Sequence, residues 1–330
     1  MENEIKEPEN RSQEPCTLDF EKEINEVEAK IYTLKHNVGL TSAFDIALEI
    51  ERLEKKLKTL LTTVYGSLDA WQITQVARHP ERPHFCDYIN GIFTDFVPLA
   101  GDRCFGEDKA IIGGPAKFKE QTVMIIGQEK GKGLEGRLTH NFGMARPEGY
   151  RKAMRLMDLA QRFSMPVLTF VDTAGAFPGI DAEERGQGQA ISDCIEKCLS
   201  LNVPLIATVI GEGGSGGAVA LAAANKVLML EYSIYSVISP EGCAAILWKD
   251  REKAPLAAKS LKMTAADLSA LGIIDEIIKE PLGAAHRNYS EVMRSVSDAL
   301  ERNLEQMQGL SGEYIKNMRR DKFMKMTIIH

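Results

Sequence analysis

The 330-residue chain is 44% hydrophobic and 26% charged, a balance that suits a globular protein with one large core and appendages, or two domains. Its formal net charge of −7 sets it apart from general nucleic-acid binders, which are basic. No apolar run approaches the roughly 18 residues of a membrane helix, and the polar start "MENEIKEPEN" fits neither a secretory signal nor an Arg-rich transit peptide, so a cytoplasmic protein with neither nucleic acid nor membrane as partner is expected.

Residues 1–16 are polar enough to be expected disordered. Beyond them Phe20, Ile24, Val27, Ile31, Leu34 and Val38 recur in alternating steps of four and three. After a break at Gly39, Ile46, Ile50, Leu53, Leu57, Leu60 and Val64 do the same. Two such seams predict an antiparallel helical hairpin, with Ser42 and Asp45 as a capping box for the second helix and Gly66 as its stop. The hairpin is expected over 17–80, as a packing arm or a partner-docking surface.

Pro80 and Pro83 mark a boundary, and over 81–282 the periodicity changes. Gln121–Gly127 reads as a strand. Glu148–Phe163 reads as a helix opened by Pro147, where a missing N–H costs nothing. Pro166–Asp172 and Pro204–Ile210 are apolar enough for buried strands, with a helix between them over Gly186–Leu201. The body of a third helix follows over Ala218–Ala224. Lys226–Glu231 and Ile234–Ser239 read as further strands, and Pro240–Trp248 as a short helix. Continuous apolar strands alternating with helices predict an α/β core with a mostly parallel sheet. From about Leu282 an amphipathic helical extension (283–330) ends in "KNMRRDKFMKM", expected to be a solvated basic face. The six cysteines form no C-x-x-C pair, so no metal is expected, and Cys194 and Cys198 read as buried packing thiols.

One unit occurs twice. "VLTFVDTAGAFPG" and "LIATVIGEGGSGG" are each an apolar strand running into a Gly-rich turn and then a helix, about 40 residues apart. The second turn fits several signatures. Gly211, Gly213 and Gly216 match a dinucleotide-binding turn, with Glu231 placed as a ribose-binding acid, which would make a nicotinamide-dependent oxidoreductase. Against it, the turn lies deep in the core, and "DTAGAFPG" has no role in such a fold. Gly213, Ser215 and Gly217 match a nucleophile elbow, yet only His286 and His330 follow. The first sits in the polar "AHRNYS", read as surface, and the second is the C-terminal residue, so Ser215 lacks a base. Read plainly, the turn presents uncapped N–H groups at a helix start, backed by the helix dipole. Those groups would hold an oxyanion, unless the glycines serve only close helix–sheet packing. A non-catalytic scaffold is the third class left open.

The run "GRLTHNFGMARPEGYRKAMRLMDLAQRFSMPVLTFVDTAGAFPGIDAEERGQGQAI", then "VIGEGGSGGAVALA" and "YSVISPEGCAAILWK", closely resembles the carboxyltransferase alpha-subunit family of bacterial acetyl-CoA carboxylase. The similarity extends from "EVEAKI" through "AWQITQVARHPERP" to "EPLGAAHRN" and so covers most of the chain. The resemblance implies a ClpP/crotonase-like fold of repeated ββα units. It also implies a beta subunit with a zinc ribbon, a biotin carboxyl carrier protein, a separate biotin carboxylase and an alpha2beta2 carboxyltransferase. The implied reaction moves the carboxyl group from carboxybiotin on the carrier to acetyl-CoA, giving malonyl-CoA, the committed step of fatty acid synthesis. Carried over residue by residue, Gly216 and Gly217 supply backbone oxyanion donors on the biotin side, and Gly213, Gly214 and Ser215 shape their turn. Gly175, Ala176 and Phe177 line the same cleft, with Asp172 a turn cap or a reactant. Arg137 and Arg146 are candidates for coenzyme A phosphates, whereas the other basic residues from Lys117 to Arg155 read as solvated charge. The family usually has proline where this chain has Ala174, which puts the rigidity of that turn in question.

Overall fold

The computed structural model describes residues 18–36 and 43–326. The first sixteen residues, Val38, Gly39 and the Ser42–Asp45 box lie outside the described residues. Two compact units divide at Val64/Tyr65. In the first, α1 (Lys22–His36) and α2 (Ala43–Tyr65) follow the two seams. Ile24, Val27 and Ile31 are buried, while Leu53, Leu57 and Leu60 are half-buried. Ion pairs Lys35–Glu54 (2.8 Å) and Glu23–Lys56 (3.3 Å) link the helices, and α2 stops immediately before Gly66.

The second unit opens with α3 (Ala70–Ala77) and α4 (Phe85–Ile92), then the hairpin β1 (Ile111–Phe118) and β2 (Gln121–Gln128). α5 (Gly133–Thr139), α6 (Pro147–Arg162), β3 (Val167–Thr173), α7 (Ile180–Glu184) and α8 (Gln187–Ser200) lead to β4 (Leu205–Gly214) and α9 (Ser215–Ala222). β5 (Lys226–Leu230), β6 (Ile234–Ser236), α10 (Pro240–Trp248), α11 (Ala254–Leu261), α12 (Ala265–Ala270) and β7 (Glu276–Ile278) complete the sheet region, and α13 (Tyr289–Glu305) and α14 (Gly312–Lys325) close the chain.

The sheet runs β1-β2-β3-β4-β5-β7, with β6 added on β4, and only the β1–β2 pair is antiparallel. β2, β3, β4 and β5 advance in one direction across it. Right-handed crossovers therefore put their connecting helices α6, α8 and α9 on one face. The period-2 alternation shows it. Met124, Ile126, Val167, Val171, Leu205, Ala207, Val209, Val227 and Met229 pack under those helices. Val123, Ile125, Leu168, Phe170, Ile206, Ile210, Leu228 and Leu230 point the other way, into Phe85 and Tyr88 of α4 and Val292, Val296 and Leu300 of α13. Strand order never reverses from β1 to β7, so the sheet has no switch point of the kind that forms a dinucleotide crevice. The dinucleotide expectation fails on this topology.

Two further expectations are corrected. Arg319, inside the basic run read as solvated, is fully buried. It donates to Cys198 O (2.5 Å), Leu201 O (2.9 Å), Val203 O (2.8 Å) and Asn225 Oδ1 (2.5 Å). Its fork thus closes the exposed carbonyls at the end of α8, and its neighbour Lys322 pairs with Asp275. His286 is not a surface residue either: its ring stacks on buried His79 at 4.0 Å between centroids. Cys194 and Cys198 are fully buried, as the packing reading has it, with both thiols on Ala220 O.

Candidate active site

The two Gly-rich turns leave the sheet side by side at the ends of β3 and β4. Val171 pairs with Val209, but the next pair is Thr173 with Gly213, so β4 bulges at Ile210–Glu212 opposite Asp172. A bulge leaves ladder groups without partners. Here two side chains take them. Asp172 Oδ1 accepts the Glu212 N–H (2.9 Å), and buried Arg82 donates from Nε to Ile210 O (2.7 Å) while forking onto Glu280. Beyond the bulge β4 changes neighbour, pairing Glu212, Gly213 and Gly214 with β6. The strand therefore runs four residues further than the apolar run suggests, carrying its glycines to the sheet edge before α9 begins.

Glycine is required there by space. A Cβ on Gly214 would lie 2.1 Å from Ala174 O, and one on Gly211 2.5 Å from Asp172 Oδ1. On Gly217 it would lie 2.8 Å from Gly175 C and Ala176 N and 3.0 Å from Tyr150 Oη, and on Gly213 2.8 Å from the Tyr235 ring. Gly216 differs, since a Cβ there meets only Ile191, at 3.3 Å. The structure thus brings Gly214, Ser215 and Gly217 against Ala174, Gly175 and Ala176 of the other turn, whereas Gly213 faces Tyr235 and Gly216 faces Ile191. Gly214 is the N-cap of α9 and has no side chain to accept the first-turn N–H groups. Ser215, half-exposed, enters the helix at φ +55°, a left-handed conformation rare for serine. Its hydroxyl has no histidine partner among the described residues, so the elbow reading has no base.

The β3 turn holds its shape without proline at Ala174. The Thr173 hydroxyl donates to Gly175 O (2.7 Å) and accepts from Gly175 N–H (3.1 Å), and the Phe177 N–H donates to Ala145 O (3.0 Å). Gln187 bonds both Ala145 O and Phe177 O at 2.9 Å, and the Arg146 guanidinium covers the Phe177 ring at 4.2 Å.

Beneath the turns runs a chain of alternating charge. His84 Nδ1 lies 3.6 Å from Asp172 Oδ2, and Asp172 Oδ1 is 2.7 Å from Lys130 Nζ. Lys130 stands 3.5 Å from Glu212 Oε2, Glu212 pairs with Arg78 (2.5 Å), and Arg78 with Glu241 (2.6 Å). Burial alone would raise the Asp172 carboxyl, but the Lys130 ammonium and His84 outweigh it and hold the group well below the ordinary carboxylate range. The Lys130 ammonium, which burial would lower, is pushed up by Asp172 and Glu212. Asp172 is thus a tie between the turns, fixed in its ionised form.

The solvated reading fails for Lys130 and also for Lys152, which is buried and bonds Glu107 (2.5 Å) and Asp108 O (2.8 Å). Arg146 belongs to the β3 turn through Phe177 and Asp181 (3.4 Å), whereas Arg137 lies half-exposed on α5. Glu231, the supposed ribose acid, is held by Lys279 and Glu280 N–H. Sequence reasoning missed Arg78, His84, Gln128, Lys130 and Glu212. Their one signal was proximity to quoted blocks, since Arg78 lies in "ARHPERP" and Glu212 in "GEGGSGG".

Against known proteins, the family model described as acetyl co-enzyme A carboxylase carboxyltransferase-like matches residues 17–327. A protein of Methylobacterium sp. (strain 4-46) named acetyl-coenzyme A carboxylase carboxyl transferase subunit alpha is 56% identical over 309 residues, 94% of this chain and 98% of its own. One of the same name from Zymomonas mobilis is 56% identical over 307 residues, 93% of this chain and 97% of its own. Among solved structures, a transcarboxylase 12S hexamer with methylmalonyl-coenzyme A bound aligns at TM-score 0.54 and 18% identity, over 66% of this chain and 41% of that one. A Pseudomonas malonate decarboxylase hetero-tetramer in complex with coenzyme A aligns at 0.53 and 15%, over 64% of this chain and 84% of that one. At such identities the likeness is one of fold, and the fold is the crotonase-like one.

Proposed function

The chain belongs to the acetyl-CoA carboxylase carboxyltransferase alpha-subunit family, and from that membership we propose how its own residues take part in carboxyl transfer. The observation that carries the proposal is the start of α9, where first-turn N–H groups without a side-chain cap open beside a turn that leaves no room for a Cβ. Such a cradle fits an oxyanion in size and polarity.

In this reading the carboxyl donor is carboxybiotin, tethered to a separate carrier protein, and the acceptor is acetyl-CoA, which becomes malonyl-CoA. Biotin, when bound, supplies a ureido group whose oxygen takes up negative charge as the carboxyl group leaves. The N–H groups of Gly216 and Gly217 donate to that oxygen, with the positive end of the α9 dipole behind them. Gly213 and Gly214 bring the backbone to the cleft, and Ser215 turns it into the helix. Gly175, Ala176 and Phe177 form the facing wall and exclude water, which strengthens each hydrogen bond. Arg137 and Arg146 remain the candidates for coenzyme A phosphates. The beta subunit with its zinc ribbon supplies the acyl-CoA side in an alpha2beta2 assembly, and a biotin carboxylase recharges the carrier.

The test is reconstitution with the beta subunit, carboxylated carrier and acetyl-CoA, reading malonyl-CoA. Gly216→Ala keeps its N–H and meets only Ile191, so it should retain most activity. Gly216→Pro deletes one donor in a first turn that tolerates proline, and kcat should fall about 10²- to 10³-fold. Equal activity in the two variants removes this donor from the mechanism. Gly217 is unsuited to the test, because any side chain there strikes the backbone of Gly175 and Ala176.

A further inference from the structure

Two buried side chains reach from the sheet to carbonyl groups of α9. Thr169 on β3 donates from Oγ1 to Leu221 O at 2.7 Å. Gln128, the last residue of β2 and fully buried, donates from Nε2 to Gly217 O at 2.7 Å, and its Oε1 accepts the Asp172 N–H at 3.1 Å. Gly217 and Leu221 are four residues apart and lie on one helix face, so α9 is held to the sheet by two bonds one turn apart. The amide orientation of Gln128 is forced, because the Asp172 N–H can only donate and Gly217 O can only accept.

The two bonds have different reach. Thr169 holds the far turn of the helix and nothing else. Gln128 joins the residue that opens the β3 turn to Gly217, whose own N–H is one of the two α9 donors. Asp172 is in turn bound to the Glu212 N–H in the bulge of β4. One side-chain amide therefore closes a ring of contacts through β3, β4 and α9, and that ring sets where the first turn of α9 points.

We propose that Gln128 is a positioning residue for carboxyl transfer, holding the Asp172 N–H and the Gly217 carbonyl together so that the α9 donors face the β3 turn. The proposal rests on the reading of the Gly216 and Gly217 N–H groups as oxyanion donors. Gln128 does not touch substrate and acts through Gly217.

The experiment uses the reconstituted alpha–beta enzyme with carboxylated carrier and acetyl-CoA. Gln128→Met fills the volume but leaves Gly217 O and the Asp172 N–H unmatched. Its kcat should fall about 10- to 100-fold, the loss expected for misplaced donors, with KM for acetyl-CoA changed less than about threefold. Gln128→Glu gives a readout that a packing role does not. A protonated glutamic acid can donate to Gly217 O as the amide does, and a carboxylate cannot. A titratable group on the α9 side is the Tyr150 hydroxyl of α6, 3.0 Å from a Cβ built on Gly217, while the Asp172 carboxylate turns to Lys130 and His84. Full burial at position 128 favours the protonated form. The ratio of Gln128→Glu to parent kcat should be near one at about pH 6 and fall toward the Gln128→Met value as pH rises. Thr169→Val, which loosens the far end of α9, should lower Tm and leave kcat within about threefold.

Parent-like kcat in Gln128→Met, a Gln128→Glu ratio that stays flat with pH, or an equal loss of kcat in Thr169→Val each overturns the proposal. If Gln128→Met fails to assemble with the beta subunit, the pH profile of Gln128→Glu still decides. Gly216→Pro separates the two levels. If Gly216→Pro is fully active, the donor reading falls and this proposal with it. If Gly216→Pro is inactive and Gln128→Met is active, only the positioning role falls.

Discussion

Lys130→Met removes the ammonium between Asp172 and Glu212 while keeping most of the side chain's length. Glu212 keeps Arg78 at 2.5 Å, so the loss falls on Asp172, whose side chain is 5% exposed. Stranding one member of a buried ion pair costs about 3–5 kcal/mol. Proton uptake limits that figure: neutralising an ordinary aspartate at pH 7 costs about 4 kcal/mol, from roughly 3 pKa units at 1.36 kcal/mol each. A deficit of about 3–4 kcal/mol near neutral pH is expected, and it carries a sign in pH. In the parent the Asp172 carboxyl titrates below its unfolded value, so its contribution is complete above that value and is lost as pH falls toward the folded one. In the variant only His84 and the Glu212 N–H are left to oppose burial, so the folded pKa rises from the parent's depressed value and protonation costs the fold less than it does in the parent. The deficit should therefore shrink on acidification, by up to about 1.4 kcal/mol per pH unit. Urea unfolding of both proteins from about pH 8 to about pH 5 measures it. A deficit below about 1 kcal/mol at pH 8, or one that does not shrink toward pH 5, refutes the argument.

Arg319→Met leaves three backbone carbonyls and Asn225 Oδ1 without their donor, and should cost about 3–5 kcal/mol in chemical unfolding. Arg319→Lys should recover little, because one ammonium cannot span those acceptors. The His286 ring is pushed down to about 2, by burial first and then by His79, Arg287 and Arg82. Stability from keeping it neutral is full above its unfolded pKa of about 6.5 and declines below, by at most about 1.4 kcal/mol per pH unit. His286→Phe should flatten that acid slope in Tm measured against pH. Iodoacetamide on the native protein, followed by intact mass, should label exposed Cys104 before buried Cys194 and Cys198. The hydrogen bond with the Cys198 thiol, and then burial, hold the Cys194 pKa well above that of a free thiol.

The parts of the fold that could be read in advance were those written locally. α10 falls on Pro240–Trp248 as expected, because Ser239 caps it and Pro240 fits its first position. β1 was invisible: "IIGGPAKF" carries two glycines and a proline, and only pairing along the whole of β2 makes it a strand. The extension of β4 through "GEGG" was hidden for a related reason, since β6 and not local propensity supports it. The glycine turn was legible as a backbone feature, because a cluster of glycines between an apolar run and a helix is written locally. The charges beneath it were not, since Arg78, Lys130, Asp172 and Glu212 are scattered along the sequence and acquire meaning only when strands bring them together. Arg319 shows the limit of reading charge by neighbourhood: a basic residue in a basic run looks solvated until a helix end is found to need its fork.

The span of these ties has a consequence for how the chain comes to be folded. Arg78 waits for Glu212, 134 residues on, and for Glu241, 163 residues on, while Arg82 waits for Glu280 at a separation of 198. At about 5–20 residues per second on the ribosome, Arg78 emerges on the order of ten seconds before its first partner. Closing loops of that length precedes any reward from the contacts, so the bulge and the two turns are expected to set late in folding. A nascent chain halted before Glu241 would carry the two strands and all the glycines of their turns, but not the anchor at the far end of the charge chain. The lattice of ions therefore acts as a completion check, met only when distant thirds of the polypeptide have been made and have docked.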